Sequence, residues 1–271
     1  MSEKITSNKN TQKVLNDLAE IAGYLWERGW AERNAGNISI NITSHYSPGE
    51  MERLTALPFF PISQTAPELA GQLILMTITG ARMRDLARNP FTNTCFLYFN
   101  KSSPVFHLLP LKNNEHSLKP TSELPTHLSI HRMLIQKNAA EKVVLHTHVP
   151  ELIALTHIYA LKSEEAINEI LWGMQPETLI FVPEGIGLIP YTCPGTEKMA
   201  QATTRGLDKH KVIILEKHGC LAIGTDLFET FDTIDILANS AKIFFLCKNA
   251  GYHAEGLNAL QIKEIRSKYS R

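Results

Sequence analysis

The sequence predicts an α/β protein of three layers, α/β/α, in which a central mixed and mostly antiparallel sheet carries helices on both faces. Two observations lead to this prediction. Strand-like and helix-like patterns interleave along all 271 residues, and several of the strand-like segments occur as hairpin-like pairs. Because neither a repeat nor a low-complexity linker interrupts the chain, we expect a single domain over residues 1–271, with an N-terminal helical lobe of about residues 1–30 packed on it.

Helical patterns occupy five segments with the apolar spacing of amphipathic helices, namely residues 11–28, 121–137, 150–162, 198–210 and 226–251. The first is expected to stop near Gly29. The second is expected to be capped by Thr121 or Ser122, with Pro125 tolerated in its first turn. The last starts with an Asp-x-x-Glu pattern typical of a capping box, and Gly251 suits its C-terminal end.

Strand patterns fill the intervals between these helices. They lie at residues 37–43, 71–80, 95–100, 105–110, 142–148, 178–191 and 211–224. The segment 178–191 is expected to hold short strands around Gly185 and Gly187. In the segment 211–224, two strands are expected to be broken at His218 and Gly219.

The composition excludes several classes of protein. Lys plus Arg and Asp plus Glu both number 27, so no charge excess favours nucleic acid or an anionic membrane as a partner. The polar start lacks the apolar core of a secretory signal, and no run approaches the ~18 apolar residues of a membrane span. The cysteines are far apart and form no Cys-x-x-Cys pair, which predicts free thiols in a reducing cytoplasm. They are Cys95, Cys193, Cys220 and Cys247.

Two histidines follow the apolar run at residues 143–145. His146 and His148 are two positions apart, so their side chains share one face of a strand, with Cα atoms about 6–7 Å apart. This spacing allows both imidazoles to reach one metal ion. The alternative is a pair of histidines at a strand end near the surface, and the remainder of the chain must decide between the two.

A third histidine follows another buried run. His218 comes directly after the apolar residues 212–215 and beside Gly219, where the backbone can bend or approach a ligand closely. By itself, His218 is better explained as a residue that caps a hairpin than as a metal ligand. Together with His146 and His148 it would complete three imidazole ligands and one open position, the arrangement of catalytic zinc.

Glu123 is expected in the first turn of the second helix. There a carboxylate gains up to ~1 kcal/mol from the helix dipole, which would suffice as a structural explanation. However, the hydroxyls of Thr121 and Ser122 and the free N–H groups of the helix start form an anion site beside it. A carboxylate next to an anion pocket is costly unless it has a chemical task.

Six motifs, in this order, are similar to those of the class II aldolase/adducin family: "RNAGNISI" (33–40), "TITG" (77–80), "TSELPTH" (121–127), "HTH" (146–148), "LWGMQPE" (171–177) and "KHG" (217–219). Each motif alone is weak, but their order makes the resemblance specific. It extends from about Gly23 to Gly251. The resemblance implies a metal-dependent aldehyde-lyase that acts on a sugar phosphate, and it implies a homotetramer.

The resemblance also implies roles for single residues. His146, His148 and His218 would bind one Zn²⁺ per subunit, and Glu123 would move the proton at the substrate carbon. Glu177 would come from a neighbouring subunit to handle the proton on the aldehyde side, although the residues around it differ from the family pattern. The implied phosphate-binding residues are Asn34, Gly36, Asn37, Thr79, Gly80, Thr121 and Ser122.

One departure from the family pattern concerns the residues after the Thr-Gly turn. Where relatives have a small Ser or Gly, this chain has Ala81 followed by Arg82. A hydroxyl contact is lost, and Arg82 either replaces it or faces solvent. Cys220 lies beside the third histidine, but a buried core thiol is expected there, because a thiolate ligand would close the open metal position. His127, His131 and His157 are expected on helices as packing or surface residues.

Other functions are weighed against the aldolase. Within the family, cleavage of L-rhamnulose 1-phosphate to dihydroxyacetone phosphate and L-lactaldehyde is favoured, while cleavage of L-fuculose 1-phosphate and ribulose-phosphate 4-epimerization stay open. An adducin-like interaction module would lack the metal histidines, all three of which are present here. A cupin-type metal enzyme would be nearly all β, and its glutamate would not precede the His-x-His pair.

Overall fold

A single mixed sheet forms the centre of the protein, for which a computed structural model describes residues 8–52, 59–61, 67–100, 105–110 and 118–269. Its nine described strands have the order β2-β5-β4-β3-β1-β6-β9-β8-β7, and every neighbouring pair is antiparallel except β7 and β8. The strands are β1 (Asn37–Asn41), β2 (Phe59–Pro61), β3 (Leu73–Thr77), β4 (Thr94–Phe99), β5 (Val105–Pro110), β6 (Val143–Thr147), β7 (Gly187–Ile189), β8 (Val212–Leu215) and β9 (Gly219–Gly224).

Eleven α-helices surround this sheet within the described part of the chain. They are α1 (Lys9–Glu27), α2 (Pro48–Glu52), α3 (Met83–Arg88), α4 (Pro90–Asn93), α5 (Leu124–Gln136), α6 (Pro150–Leu155), α7 (Glu164–Met174), α8 (Pro176–Phe181), α9 (Glu197–Leu207), α10 (Leu227–Asn249) and α11 (Ala259–Tyr269). None of these helices combines the length and the apolar character that a bilayer crossing requires.

Both faces of the central strands are buried, which explains their continuous apolar runs. In β6, Val143 and Leu145 pack with α1 and α10, whereas Val144 between them packs on the opposite face with α5 and α9. Side chains alternate along a strand, so a strand covered on both faces must be apolar at successive positions. The predicted three-layer architecture with a mostly antiparallel sheet is therefore confirmed.

Most predicted elements are found close to their expected positions. The strand pair at residues 95–100 and 105–110 corresponds to β4 and β5, which pair antiparallel, while the turn between them lies outside the described residues. The pair at residues 211–224 corresponds to β8 and β9. Asp226 caps α10 by accepting a hydrogen bond from the N–H of Glu229, and α10 ends two residues before Gly251.

Two expectations about helices were wrong in detail, and α7 is one of the helices that were not predicted. The helix that follows Ser122 begins only at Leu124, and Glu123 occupies its N-cap position without a side-chain cap bond, so neither Thr121 nor Ser122 caps it. The helix at residues 150–162 ends already at Leu155. Helix α7 was not expected, although Ser163 caps it by accepting a hydrogen bond from the N–H of Ala166.

The segment 178–191 holds one strand, not several. Its first residues belong to α8, which starts at Pro176 because proline suits the first helical turn. Thr178 lies on the buried side of this helix, and its hydroxyl is 2.7 Å from the hydroxyl of Ser240 in α10. An apolar run of this length is compatible with either structure, and here packing against α10 selects the helix. Only β7 follows Gly185 as expected.

Candidate active site

The three histidines converge where β6 ends and β9 begins. His146 is the fourth residue of β6, His148 follows that strand, and His218 occupies the turn between β8 and β9. Since β6 and β9 are antiparallel neighbours that pair Thr147 with Cys220, the end of one strand lies beside the start of the other. The imidazole ring centroids are 4.8–5.1 Å apart, and the three candidate ligand nitrogens lie within 4.8 Å of one another.

Hydrogen bonds select which nitrogens are free for a metal. The Nδ1–H of His146 donates to the carbonyl oxygen of Cys220 at 2.8 Å, and the Nδ1–H of His148 donates to the carboxylate of Glu32 at 2.8 Å. In a neutral imidazole the other nitrogen then carries a lone pair, so both residues present Nε2. The Nε2 atom of His146 is buried and has no hydrogen-bond partner among the described residues.

The arrangement fits a metal ion. An orphaned buried acceptor is costly, and a metal would satisfy it. Three neutral imidazole nitrogens that leave one position open are the ligand set of catalytic zinc. Burial lowers the pKa of His146 to about 3 and that of His218 to about 4, so both rings are neutral near pH 7, the form that ligates.

Two glycines allow the backbone to pack around these rings. A Cβ atom at Gly219 would lie 2.5 Å from the carbonyl oxygen of Thr147 and only about 3 Å from the rings of His148 and His146. A Cβ atom at Gly36 would lie 2.8 Å from the carbonyl oxygen of His146, and Gly36 also has a φ of +80°. The close backbone approach expected at Gly219 is thus an approach to the rings of His146 and His148, which are candidate metal ligands.

Glu123 points at the same place. One carboxylate oxygen, Oε1, is 3.8 Å from Nε2 of His146 and 3.7 Å from Nε2 of His218. Its backbone N–H is held by the hydroxyl of Thr121 at 3.3 Å, and its side chain is 13% exposed. Because the carboxylate makes no cap bond to α5, its position is explained by the histidines and the cavity, not by helix capping.

A cavity of about 370 Å³ opens in front of the histidines. Its described lining includes the three histidines, Glu123 and all seven predicted phosphate-binding residues, together with Glu32, Arg33, Ala35, Ile78 and Ala81. The hydroxyl of Thr79 donates to the carbonyl oxygen of Pro120 at 2.6 Å, and this bond joins the Thr79-Gly80 turn to the start of α5. Among the described hydrogen bonds, the N–H groups of Gly80 and Ser122 have no acceptor, which suits an anion.

Sequence reasoning missed several residues of the site. Arg33 is the first residue of the first motif and Glu32 precedes it, and both line the cavity. Arg33 has a left-handed φ of +53°. The hydrogen bond with His148 lowers the pKa of Glu32 despite its partial burial, which opposes that shift. A pair 116 residues apart in sequence gives no local pattern from which the contact could have been predicted.

Some predicted residues lie outside the cavity. Glu177 is exposed in the first turn of α8 and does not line the cavity of its own chain in the described residues. Arg82 is half-buried before α3 and is likewise not part of the described lining. Cys220 is a buried core thiol as expected, and burial raises its pKa to about 12. His157 is exposed in a turn, not on a helix.

Comparisons with known proteins identify the family of the chain. The sequence profile described as class II aldolase and adducin N-terminal domain matches residues 16–245. The chain is 40% identical over 254 residues to the rhamnulose-1-phosphate aldolase of Bacteroides thetaiotaomicron, and the alignment covers 93% of each chain. It is 33% identical over 221 residues to the rhamnulose-1-phosphate aldolase of Escherichia coli (strain SE11), which covers 80% of this chain and 79% of the other.

Solved structures share the architecture. A sugar-phosphate aldolase from Thermotoga maritima superposes with a TM-score of 0.75 at 27% identity, over 90% of this chain and 99% of that one. An L-fuculose 1-phosphate aldolase superposes with a TM-score of 0.60 at 16% identity, over 96% and 97% of the two chains, and this likeness concerns the fold alone. The chain belongs to the class II aldolase and adducin family, as the six motifs predicted.

Proposed function

We propose that the protein is a zinc-dependent aldolase that reversibly cleaves L-rhamnulose 1-phosphate to dihydroxyacetone phosphate and L-lactaldehyde. The observation that carries the proposal is the convergence of three imidazoles and the Glu123 carboxylate in a cavity whose described lining also offers backbone N–H groups without an acceptor. The two relatives described above are rhamnulose-1-phosphate aldolases, and this supports the choice of substrate. Three nitrogen ligands with an open position suit Zn²⁺, one per subunit, and the free thiols fit a cytoplasmic enzyme.

Zinc bound to His146, His148 and His218 would supply Lewis-acid stabilization of negative charge on the substrate oxygens. The other steps are assigned to protein groups. Retro-aldol cleavage moves the proton of the C4 hydroxyl to a base, for which Glu177 of a neighbouring subunit is proposed, breaks the bond between C3 and C4, and returns a proton to C3. Glu123 lies 3.7–3.8 Å from two of the imidazole nitrogens, and it would return the proton to C3 in cleavage and remove it in the reverse reaction.

Anion recognition is assigned to the other lining groups. The phosphate would accept hydrogen bonds from the N–H groups of Gly80 and Ser122, with Asn34, Asn37 and the Thr121 and Ser122 side chains around it. The chain has equal numbers of acidic and basic side chains, so local geometry must hold this anion. Arg33 is the nearby cation, since it lines the same cavity.

The substrate assignment is tested by a coupled assay for dihydroxyacetone phosphate on a panel of ketose 1-phosphates, with metal analysis of the same sample. We expect L-rhamnulose 1-phosphate to give the highest kcat/KM and unphosphorylated L-rhamnulose to be cleaved much less well. A higher kcat/KM for L-fuculose 1-phosphate would change the assigned substrate but leave the assigned reaction, aldol cleavage, unchanged. Absence of cleavage, with 4-epimerization of ribulose phosphate instead, would overturn the lyase assignment.

Glu177 is proposed to complete the site of a neighbouring subunit in a cyclic homotetramer. Its exposed position at the start of α8, outside the cavity of its own chain, supports this role. In a head-to-tail ring every subunit donates to one neighbour and accepts from the other.

This proposal predicts complementation. Tetramers made only of Glu123→Gln chains or only of Glu177→Ala chains should be nearly inactive. Co-expressed in equal amounts, the two chains should regain roughly a quarter of the wild-type activity, because random assembly restores that fraction of sites. Activity of mixed tetramers no higher than the mean of the two parents would place Glu177 in its own subunit's site or outside the chemistry.

A further inference from the structure

Four buried polar side chains form a continuous chain of hydrogen bonds behind the cavity. The Asn37 side chain meets Nε2 of His127, whose Nδ1 is 2.7 Å from the hydroxyl oxygen of Ser39. The same hydroxyl oxygen is 2.8 Å from Nε2 of His131. Ser39, His127 and His131 are each at most 1% exposed, and Asn37 is 7% exposed. We call these three residues and Asn37 the β1–α5 relay, because they lie on β1 and α5.

The partners fix the direction of every bond in the relay. The atom of Asn37 that faces His127 is the carbonyl oxygen Oδ1, which can only accept, so Nε2 of His127 donates. A neutral His127 then accepts at Nδ1 from the Ser39 hydroxyl. The Ser39 oxygen in turn accepts from the Nε2–H of His131. Burial keeps both imidazoles neutral, since their pKa values are lowered, that of His131 to about 3.

The relay determines what Asn37 shows to the cavity. Because Oδ1 is turned toward His127, the NH₂ group is the end of the amide left for the cavity that Asn37 lines. Asn37 also pairs with His146 across β1 and β6, so this amide lies next to a metal-binding histidine. A flipped amide would present its carbonyl oxygen to the cavity instead. That oxygen repels an anion and cannot donate a hydrogen bond to it.

We infer that Ser39, His127 and His131 are positioning residues, which hold the Asn37 amide with its NH₂ group toward the phosphate of the substrate. The inference rests on the proposed function, because it requires an anionic group in this cavity. It explains the two different faces of β1. One face buries the apolar Ile38 and Ile40, whereas the other buries Ser39 against two histidines. A buried polar network is tolerated when each member is satisfied, and a satisfied network holds one orientation.

The test is the affinity of the metal-loaded enzyme for inorganic phosphate, measured by calorimetry. Asn37→Ala should weaken binding about 10- to 100-fold, the range for a lost hydrogen bond to a charged group. Ser39→Ala should weaken it about two- to threefold without changing the metal content, because the released amide presents its NH₂ group for only about a third to a half of the time. Ser39→Thr keeps the hydroxyl on a β-branched residue that suits a strand, and it should restore the affinity.

A double-mutant cycle separates positioning from general destabilization. If Ser39 acts through Asn37, adding Ser39→Ala to Asn37→Ala should cause no further loss of phosphate affinity. Additive losses in the double variant would overturn the relay. Equal phosphate affinity of Ser39→Ala and wild type would do the same while leaving the aldolase proposal intact. Failure of the wild-type enzyme to bind phosphate at all would instead remove the anion pocket and the relay together.

A second measurement needs no substitution in β1. In wild-type enzyme labelled with ¹⁵N-histidine, long-range proton–nitrogen correlation spectra report which imidazole nitrogen carries the proton. The relay requires the Nε2–H tautomer at both His127 and His131. A proton on Nδ1 of His127 would make its Nε2 an acceptor, turn the carbonyl oxygen of Asn37 toward the cavity and overturn the inference. A proton on Nδ1 of His131 would end its donation to Ser39 and overturn the role assigned to His131.

Discussion

Replacing His148 with alanine is expected to remove the metal and the activity together. The purified variant should contain almost no zinc by elemental analysis and should show no aldol cleavage above background. The reason is geometric: three nitrogens within 4.8 Å of one another are the only cluster of this kind found among the described residues. Two imidazoles bind the ion more weakly than three. The third ligand contributes the free energy of its own bond to the metal and also fixes the geometry of the other two.

A graded series makes this expectation sharper. Glu32→Gln keeps an acceptor oxygen opposite the Nδ1–H of His148 but removes the negative charge, so metal affinity should fall about 10- to 100-fold while some binding remains. His157→Ala is the matched control, because that histidine is exposed in a turn outside the cavity. It should bind zinc and cleave substrate like the wild type.

The series also has a clear contrary result. Zinc content of His148→Ala equal to that of the wild type would show that the His146, His148 and His218 cluster is not the metal site. If the metal were lost in His157→Ala as well, the loss would reflect handling of the sample and not the site. Circular dichroism of each variant separates loss of the metal from loss of the fold.

Local periodicity explains why the clustering of the three histidines could be predicted from the sequence. His146 and His148 share a strand face because side chains repeat every second residue, and His218 follows a second apolar strand in the same way. Glu123 was assigned by its neighbours and by the family resemblance. The structure strengthens that assignment, because its carboxylate makes no cap bond and lies 3.7–3.8 Å from two of the imidazole nitrogens.

Contacts between distant segments could not be predicted in this way. The hydrogen bond of Glu32 with His148 depends on where the segment before β1 passes the end of β6. The packing of His127 and His131 on Ser39 depends on the placement of α5 over β1, and a helical pattern alone does not give that placement. The start of α8 was misassigned because its short apolar run suits a strand equally well until packing against α10 is known.

Glu123→Gln is the second variant with a large expected effect, and it tests the chemistry instead of the metal. The substitution removes the charge and the basicity of the side chain while its size and shape are kept. Turnover should fall on the order of 10²–10⁴-fold, the range for loss of a general base. Zinc content and the thermal unfolding midpoint should change little, because His146 and His148 keep their own hydrogen bonds and the packing against Gly219 is unchanged.

The control for this variant is Glu197→Gln. Glu197 is an exposed carboxylate in the first turn of α9, so its neutralization removes a comparable helix-dipole interaction without touching the cavity. Normal turnover in Glu197→Gln together with a large loss in Glu123→Gln would assign the effect to proton transfer.

A hydrogen-exchange experiment tests the same proton transfer without the aldehyde. Exchange of the hydrogen on the hydroxymethyl carbon of dihydroxyacetone phosphate, which corresponds to C3 of the sugar, with deuterated water should be slowed in Glu123→Gln as strongly as cleavage. A Glu123→Gln enzyme that exchanges and cleaves at nearly the wild-type rate would reduce Glu123 to a residue that only favours the start of α5, and another group would have to carry the proton.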